Sequence, residues 1–328
     1  MVRDAVVVIT GASSGVGRAT ARLFAQHGAR IGLLARNQDG LKATAREIEA
    51  LGGHAALFGV DVTDADAVES VAAAVESELG PIDIWINNAM VSVYSRVWDL
   101  RSAEVERVTA VNYLGTVYGS LAALHRMRTR NRGTIVQVGS GLAHRAIPLQ
   151  APYCASKHAI RAFTESLRVE LMNDGSQVRV TMVQLPGLNT PHFTVVRSRM
   201  PRYVRPVKPV YSPELAAQAV LHAARHPRRE YVVGGETAAM ILAQKIVPGL
   251  LDRYLARTGV NAQQTPEPAT PHDDNLFETV PGDRGAAGPF VQEAHDRSAY
   301  AWLSQNRMAV ITGAAALSGV LSWRRRGR

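Results

Sequence analysis

An apolar, β-branched run, Ala5-Val6-Val7-Val8-Ile9, leads straight into Thr10-Gly11-Ala12-Ser13-Ser14-Gly15-Val16-Gly17. A helical pattern of Ala19, Leu23 and Phe24 follows and closes at His27-Gly28. Buried strand, glycine turn, helix is the order that a dinucleotide-binding unit requires. Glycines let the backbone approach a pyrophosphate closely, and the free amides at the helix start bind its charge. The spacing is Gly-x-x-x-Gly-x-Gly rather than Gly-x-Gly-x-x-Gly, so the turn gains its meaning from its context.

That context continues downstream. Arg30-Ile31-Gly32-Leu33-Leu34-Ala35 reads as the next strand and ends in Arg36-Asn37, with no acid at its tip. An acid at that place grips the ribose 2′-hydroxyl, whereas an arginine accommodates a 2′-phosphate, so Arg36 favours NADP(H) over NAD(H). Arg18 is near enough to reinforce a phosphate site, but its expected place is a solvated helix face. Leu57-Phe58-Gly59-Val60-Asp61-Val62 reads as a third strand with Asp61 at its C-terminal end, the edge where open α/β sheets bind ligands. The alternation of strands and helices implies an α/β fold with a parallel, doubly wound sheet. At 328 residues and 46% apolar, the chain can bury one large core plus appendages.

Tyr153 and Lys157 stand four residues apart, one helical turn, and share a helix face. An ammonium beside a phenol favours the phenolate and lowers its pKa from about 10, which tunes a tyrosine for proton transfer. Alone, the pair also fits a solvated helix.

Taken in order, these motifs over about residues 4–235 resemble the single-domain short-chain dehydrogenase/reductases, whose fold is Rossmann-type. Residues 10–17 are similar to the family's cofactor loop, which implies contacts from Gly11, Ser13, Ser14, Gly15, Val16 and Gly17. Asp61-Val62 looks like the adenine-contacting pair, and Asn87-Asn88-Ala89 matches the family's Asn-Asn-Ala-Gly strand end, implying cofactor contacts from Asn88 and Ala89. Pro186-Gly187 follows an apolar strand at 178–185, as the family's Pro-Gly does, and Thr190 resembles its carboxamide-binding threonine. The resemblance implies four catalytic residues. Tyr153 would be the general acid or base, and Ser140 would stabilise charge on the substrate oxygen. Lys157 would lower the tyrosine pKa and hold the nicotinamide ribose, and Asn112 would anchor a water leading to Lys157. Tyr153 and Lys157 thus also count as cofactor residues. Two departures stand out: Met90 replaces the motif's closing glycine, and only Leu188-Asn189 separate Pro186-Gly187 from Thr190.

The function that follows is an NADP(H)-dependent oxidoreductase interconverting a carbonyl and an alcohol. The alternative is a non-catalytic NADP(H)-binding scaffold or sensor, suggested by Met90 and the long C-terminus. The substrate is expected to be a small carbonyl or alcohol compound, with the apolar C-terminal helices hinting at a lipophilic one. The family's habits imply a homo-oligomer. A net charge of +9 raises nucleic acid as a partner, but the arginines are dispersed and no basic run is interleaved with aromatics, which excludes that class. The cluster Arg197, Arg199, Arg202 and Arg205 is open to two readings, selection of an acidic or amphipathic substrate or a solvated loop. Cys154, the single cysteine, excludes an intramolecular disulfide. No metal-ligand spacing is present. Met1-Val2-Arg3-Asp4 leads directly into the first strand, so no secretory signal is expected and a cytoplasmic location is.

The chain divides into a catalytic domain at 1–236, an apolar helical extension at 237–260, a Pro- and Asp-rich linker or loosely ordered arm at 261–298, and a C-terminal helix with a basic end at 299–328. The helical extension is open to several roles, covering the pocket, packing against a partner subunit or resting on a membrane, with packing into the core the default. The apolar run at 308–323, ending in Trp323 and followed by an arginine cluster, reads either as a membrane tail or as a soluble docking helix.

Overall fold

The computed structural model describes residues 2–306. Seven strands form one parallel sheet: Val6–Thr10 (β1), Arg30–Ala35 (β2), His54–Gly59 (β3), Ile82–Asn87 (β4), Thr134–Ser140 (β5), Arg179–Leu185 (β6) and Glu230–Val232 (β7). Their spatial order is β7-β6-β5-β4-β1-β2-β3. The order reverses between β1 and β4, and in an open α/β sheet the crevice at that switch, beyond the strands' carboxyl ends, is the binding site.

Helices cover both faces, which is why the strands are apolar runs rather than alternating ones. Val7 and Ile9 join Phe24, Leu41, Ile48 and Val220 in one core cluster. The intervening Val6 and Val8 join Trp85, Val75, Met127 and Leu171 in the other. The first cluster packs under Gly15–Gln26 (α1), Gln38–Ala50 (α2) and Pro213–Arg225 (α7). The second packs under Ala65–Leu79 (α3), Gly115–Thr129 (α5) and Ala151–Asn173 (α6). Ser102–Thr109 (α4) runs into α5 through a π-helical turn, Ala110–Leu114.

The C-terminal part departs from its expected packing. Gly235–Ile246 (α8) buries only Thr237, and Pro248–Thr258 (α9) buries nothing. Their apolar side chains do not fill the core. Leu251 and Leu255 face a cavity, and Leu242, Ile246, Leu250 and Tyr254 are exposed. The polar 261–298 segment is short of apolar residues, yet its backbone is held along the sheet's carboxyl edge. Gln264–Pro268 pairs antiparallel with Arg202–Val204, and Ala294–His295 pairs parallel with Val210–Tyr211. Leu276 is buried with Val62, Val91, Val108 and Val111. Ala299–Gln305 (α10) ends the described chain. Among the described residues no helix is long and apolar enough to cross a membrane. The apolar run at 308–323 lies outside the described residues.

Candidate active site

A cavity of about 590 Å³ runs along the carboxyl edge of the sheet. At one end stands the β1–α1 turn. Gly11 adopts φ +68° and Gly15 φ +56°, conformations that disfavour a side chain. A methyl group on Gly17 would collide with the Gly11 carbonyl oxygen. Thr10 holds this turn to the end of β4, because its hydroxyl accepts the amides of Asn88 and Ala89 at 2.9 and 3.0 Å. Asn88 Nδ2 donates back to the Thr10 and Gly11 carbonyls. Asn87, next to it, points into the core, bonded to Ser120, Gln137 and Trp85. The paired asparagines thus do different work, one bracing the glycine turn and the other the buried sheet.

Asp61 lies at the same end, after β3. Its carboxylate accepts from the Thr63 amide and hydroxyl and from Arg107 Nη2 at 2.5 Å. Burial would raise its pKa, but the hydrogen bonds from Arg107 and Thr63 prevail and hold it below the usual range. Arg36 also lines the cavity. Burial, with Arg107 nearby, pulls its pKa down. Its two terminal nitrogens donate to the carbonyls of Phe277 and Asn275, each at 2.7 Å.

At the other end Ser140, Tyr153 and Lys157 come together. Ser140 ends β5, where its Oγ accepts the Leu142 amide at 3.1 Å. Its hydroxyl lies near enough to the Tyr153 phenol to offset part of the rise that burial imposes on that phenol. Tyr153 and Lys157 occupy successive turns of α6, whose first turn contains Pro152, a residue suited to a helix start. Lys157 Nζ lies 5.6 Å from the Tyr153 ring centroid and donates to the Val138 carbonyl at 2.8 Å. The expected lowering of the phenol is not what this arrangement produces. Burial pushes the Tyr153 phenol up, against the opposing influence of Ser140, and the same burial lowers Lys157 to about 8. The physical reason is that burial desolvates the ammonium itself, by more than its bond to the Val138 carbonyl restores, so the pair's near-neutral titration falls on the lysine.

Asn112 sits in the π-helical turn, fully buried. Its Oδ1 accepts the Val91 amide at 2.8 Å, and its Nδ2 donates to the Val91 carbonyl and to Ser156 Oγ, each at 3.0 Å. Both amide hydrogens are therefore spent on protein, and the side chain ties the segment after β4 to α6. The remaining candidates Ser13, Ser14, Val16, Val62, Ala89, Pro186, Gly187 and Thr190 all line the cavity, as does Met90. Gly17 lies behind the turn rather than in the cavity wall.

Two arginine readings change. Arg18 is not on a solvated face but buried, forking between Glu47 and Asp283. Arg197 and Arg199 converge on the buried carboxylate of Glu104, Arg197 also reaching Asp274, and Arg205 pairs with Glu293. Of that cluster only Arg202 remains a solvated charge in kind, so it forms no open anion-binding lid. Residues that no local motif announces also line the cavity: Tyr94, His192, Asn275, Val280 and Arg284. Arg107 reaches the site through Asp61. Their roles arise from contacts distant in sequence.

The short chain dehydrogenase family model matches residues 5–201. An uncharacterised oxidoreductase of Bacillus subtilis (strain 168), YxnA, is 32% identical over 328 residues, covering 98% of this chain and 90% of that protein. A solved alcohol dehydrogenase from Thermococcus sibiricus, complexed with 5-hydroxy-NADP, is 27% identical with a TM-score of 0.62, covering 70% of this chain and 95% of that one. A short chain dehydrogenase from Mycobacterium paratuberculosis, bound to NAD, shares the fold at 24% identity and a TM-score of 0.60, covering 70% and 96%. With a seven-stranded parallel sheet of this order and a family match over most of it, the chain belongs to the short-chain dehydrogenase family and is an oxidoreductase.

Proposed function

We propose that this chain is an NADP(H)-dependent oxidoreductase that interconverts a carbonyl and an alcohol, with Tyr153 as general acid in reduction and general base in oxidation. The observation that carries this reading is the convergence of Ser140, Tyr153 and Lys157 on one end of a cavity whose other end is the glycine turn and Arg36. The residues present fit a dinucleotide. Gly15 borders the cavity so tightly that an added methyl would lie 3.4 Å from Thr190 Cβ, and the adjoining amides open α1. Residues 11–17, Arg36, Asp61-Val62, Asn88-Ala89, Pro186-Gly187 and Thr190 would hold the cofactor, which supplies the hydride when bound.

The remaining chemistry belongs to the side chains. A phenol raised by burial stays protonated at neutral pH, the form needed to donate to a carbonyl oxygen. Ser140, with its oxygen engaged by the Leu142 amide, has its hydrogen available to the same oxygen as charge builds there. Lys157, lowered to about 8, exchanges protons near neutral pH and resupplies the phenol. Asn112 acts as a positioning residue through Ser156, not through a water on its amide hydrogens.

The substrate chamber favours a lipophilic compound. Its walls include Leu142, Ile147, Phe193, Met240, Leu251 and Leu255. His192 among them is lowered to about 4 by burial and is neutral. The test is NADPH-dependent turnover of aldehydes and ketones of increasing chain length, with Tyr153→Phe as control. Turnover that rises with apolar length and falls about 10²-fold or more in the variant is expected. Undiminished turnover by Tyr153→Phe contradicts the assignment.

A further inference from the structure

The 274–290 segment of the arm crosses one end of the groove and bonds to the turns after β1 and β2. Arg36 donates to the Asn275 and Phe277 carbonyls. Asn37 Nδ2 donates to Val280 and Gly282 carbonyls at 3.0 and 3.1 Å, and Asp39 accepts the Gly282 amide at 2.9 Å. The Gly15 amide, in the glycine turn itself, donates to the Gly285 carbonyl at 3.1 Å. Beyond it, Asn189 receives the amides of Gly288 and Phe290. The groove remains open beneath the arm, and Asn275, Thr279, Val280 and Arg284 form part of its wall together with Ser13, Gly15 and Arg36.

This contact changes what reads the cofactor's phosphate. Arg36 is the residue whose position at the end of β2 favours a 2′-phosphate, yet each of its terminal nitrogens already serves an arm carbonyl. Arg36 keeps its other N–H groups, whereas Asn37 is spent, both Nδ2 hydrogens on arm carbonyls and its Oδ1 capping α2 at Gly40. Arg284 stands between the two places where the arm grips these turns, Gly282 and Gly285. Its Nε is buried without a hydrogen-bond partner, and Nη2 reaches only the Pro281 carbonyl at 3.4 Å. No carboxylate among the described residues forms an ion pair with it, unlike Arg18, Arg197, Arg199 and Arg205. A guanidinium that lines a groove and has no carboxylate partner among the described residues suits a phosphoryl group, which takes two parallel N–H bonds.

We propose that the C-terminal arm is a component of the dinucleotide site, and that Arg284 binds the 2′-phosphate of NADP(H) alongside Arg36. This rests on reading the groove as a nicotinamide dinucleotide site. The arm's carbonyls orient Arg36, and its own arginine supplies the cation that Arg36's engaged donors no longer supply alone. Phosphate selectivity is thereby placed about 250 residues from the strand end that carries it in the sequence pattern, a separation comparable to the 241 residues between Arg36 and Phe277.

The test is equilibrium binding of NADPH and NADH to the full chain, followed by protein fluorescence or calorimetry, for native protein, Arg284→Ala and Arg284→Lys. Arg284→Ala is expected to weaken NADPH by about tenfold or more, the scale of a lost charge-assisted pair, while NADH changes less than about threefold. Arg284→Lys keeps the charge without the fork and is expected to fall between. Unchanged melting temperatures show that the variants fold. Native-like NADPH binding by Arg284→Ala overturns the proposal, and so does an equal loss for both dinucleotides, which places the arginine elsewhere. Failure of the native protein to bind either dinucleotide overturns the underlying reading of the groove instead.

Discussion

Asn112 Nδ2 donates to Ser156 Oγ at 3.0 Å, and Ser156 in turn donates to the Tyr153 carbonyl at 2.7 Å. A π-helical turn therefore sets the height of the helix that carries Tyr153 and Lys157. Such turns recur at functional sites because they re-aim one residue without ending the helix. Replacing Asn112 with Ala leaves the Val91 amide and carbonyl without their partner in a buried place. A loss of about 2–3 kcal/mol in stability is expected, the cost of stranding buried polar groups. Turnover is expected to drop with NADPH affinity retained, since the glycine turn is untouched. Urea denaturation and a binding titration check both, and an Asn112→Ala protein of native stability contradicts the bracing role.

Tyr153→Phe and Ser140→Ala test the proton-transfer pair. Each is expected to lower kcat by about 10²-fold or more while leaving cofactor affinity nearly intact. Under the proposed roles both act on one oxygen, so the double variant is expected to lose much less than the product of the two single losses. Multiplicative losses in steady-state kinetics would show that the residues act separately.

Lys157 gives a prediction for stability against pH. Its folded pKa, about 8, lies below the ordinary 10.5. The fold thus penalises the charged form: the penalty is full below pH 8 and fades as pH rises from 8 toward 10.5. At 1.36 kcal/mol per unit, the full penalty is about 3 kcal/mol. Lys157→Met removes the buried charge, so at pH 7 it is expected to melt no lower than the native protein while losing turnover. The advantage should shrink as the pH approaches 10. A clearly lower melting temperature at pH 7 means that the bond to Val138 outweighs the desolvation.

Gly17→Ala probes the turn by sterics alone. The added methyl would meet the Gly11 carbonyl oxygen and, at 2.7 Å, Asn88 Nδ2. The turn and the Asn88 brace cannot both persist, so NADPH binding is expected to weaken at least about tenfold, with a lower melting temperature. Gly175→Ala serves as a contrast: an added methyl there has nothing within 4 Å, and the residue lies away from the groove, though its φ of +61° carries some strain. Native NADPH affinity in Gly17→Ala would refute the close-packing argument.

The sheet and most of the groove were legible because their signals are local. β1, the glycine turn and α1 lie within 26 residues, and their pattern of β-branched run, glycines and helical period needs no distant partner. The carboxyl-edge positions of Asp61, Asn88, Ser140 and Pro186 follow from strand ends that the sequence marks. The proton-transfer pair was legible as a spacing, but its electrostatics were not. Spacing puts Lys157 beside Tyr153, whereas burial decides which of them titrates near neutral pH.

The parallel α/β architecture, the glycine turn and the residue types gathered at the Ser140–Tyr153–Lys157 end of the cavity are legible in the sequence, because each depends on periodicity and short-range geometry. Only the tertiary structure decided what the arginines do and where the polar C-terminal segment goes. Arg18 meets Asp283 across 265 residues of chain, and Arg36 meets Phe277 across 241. No local propensity encodes such pairs. They form because the folded edge of the sheet offers buried donors, and the arm's backbone carbonyls and carboxylates are the acceptors that satisfy them.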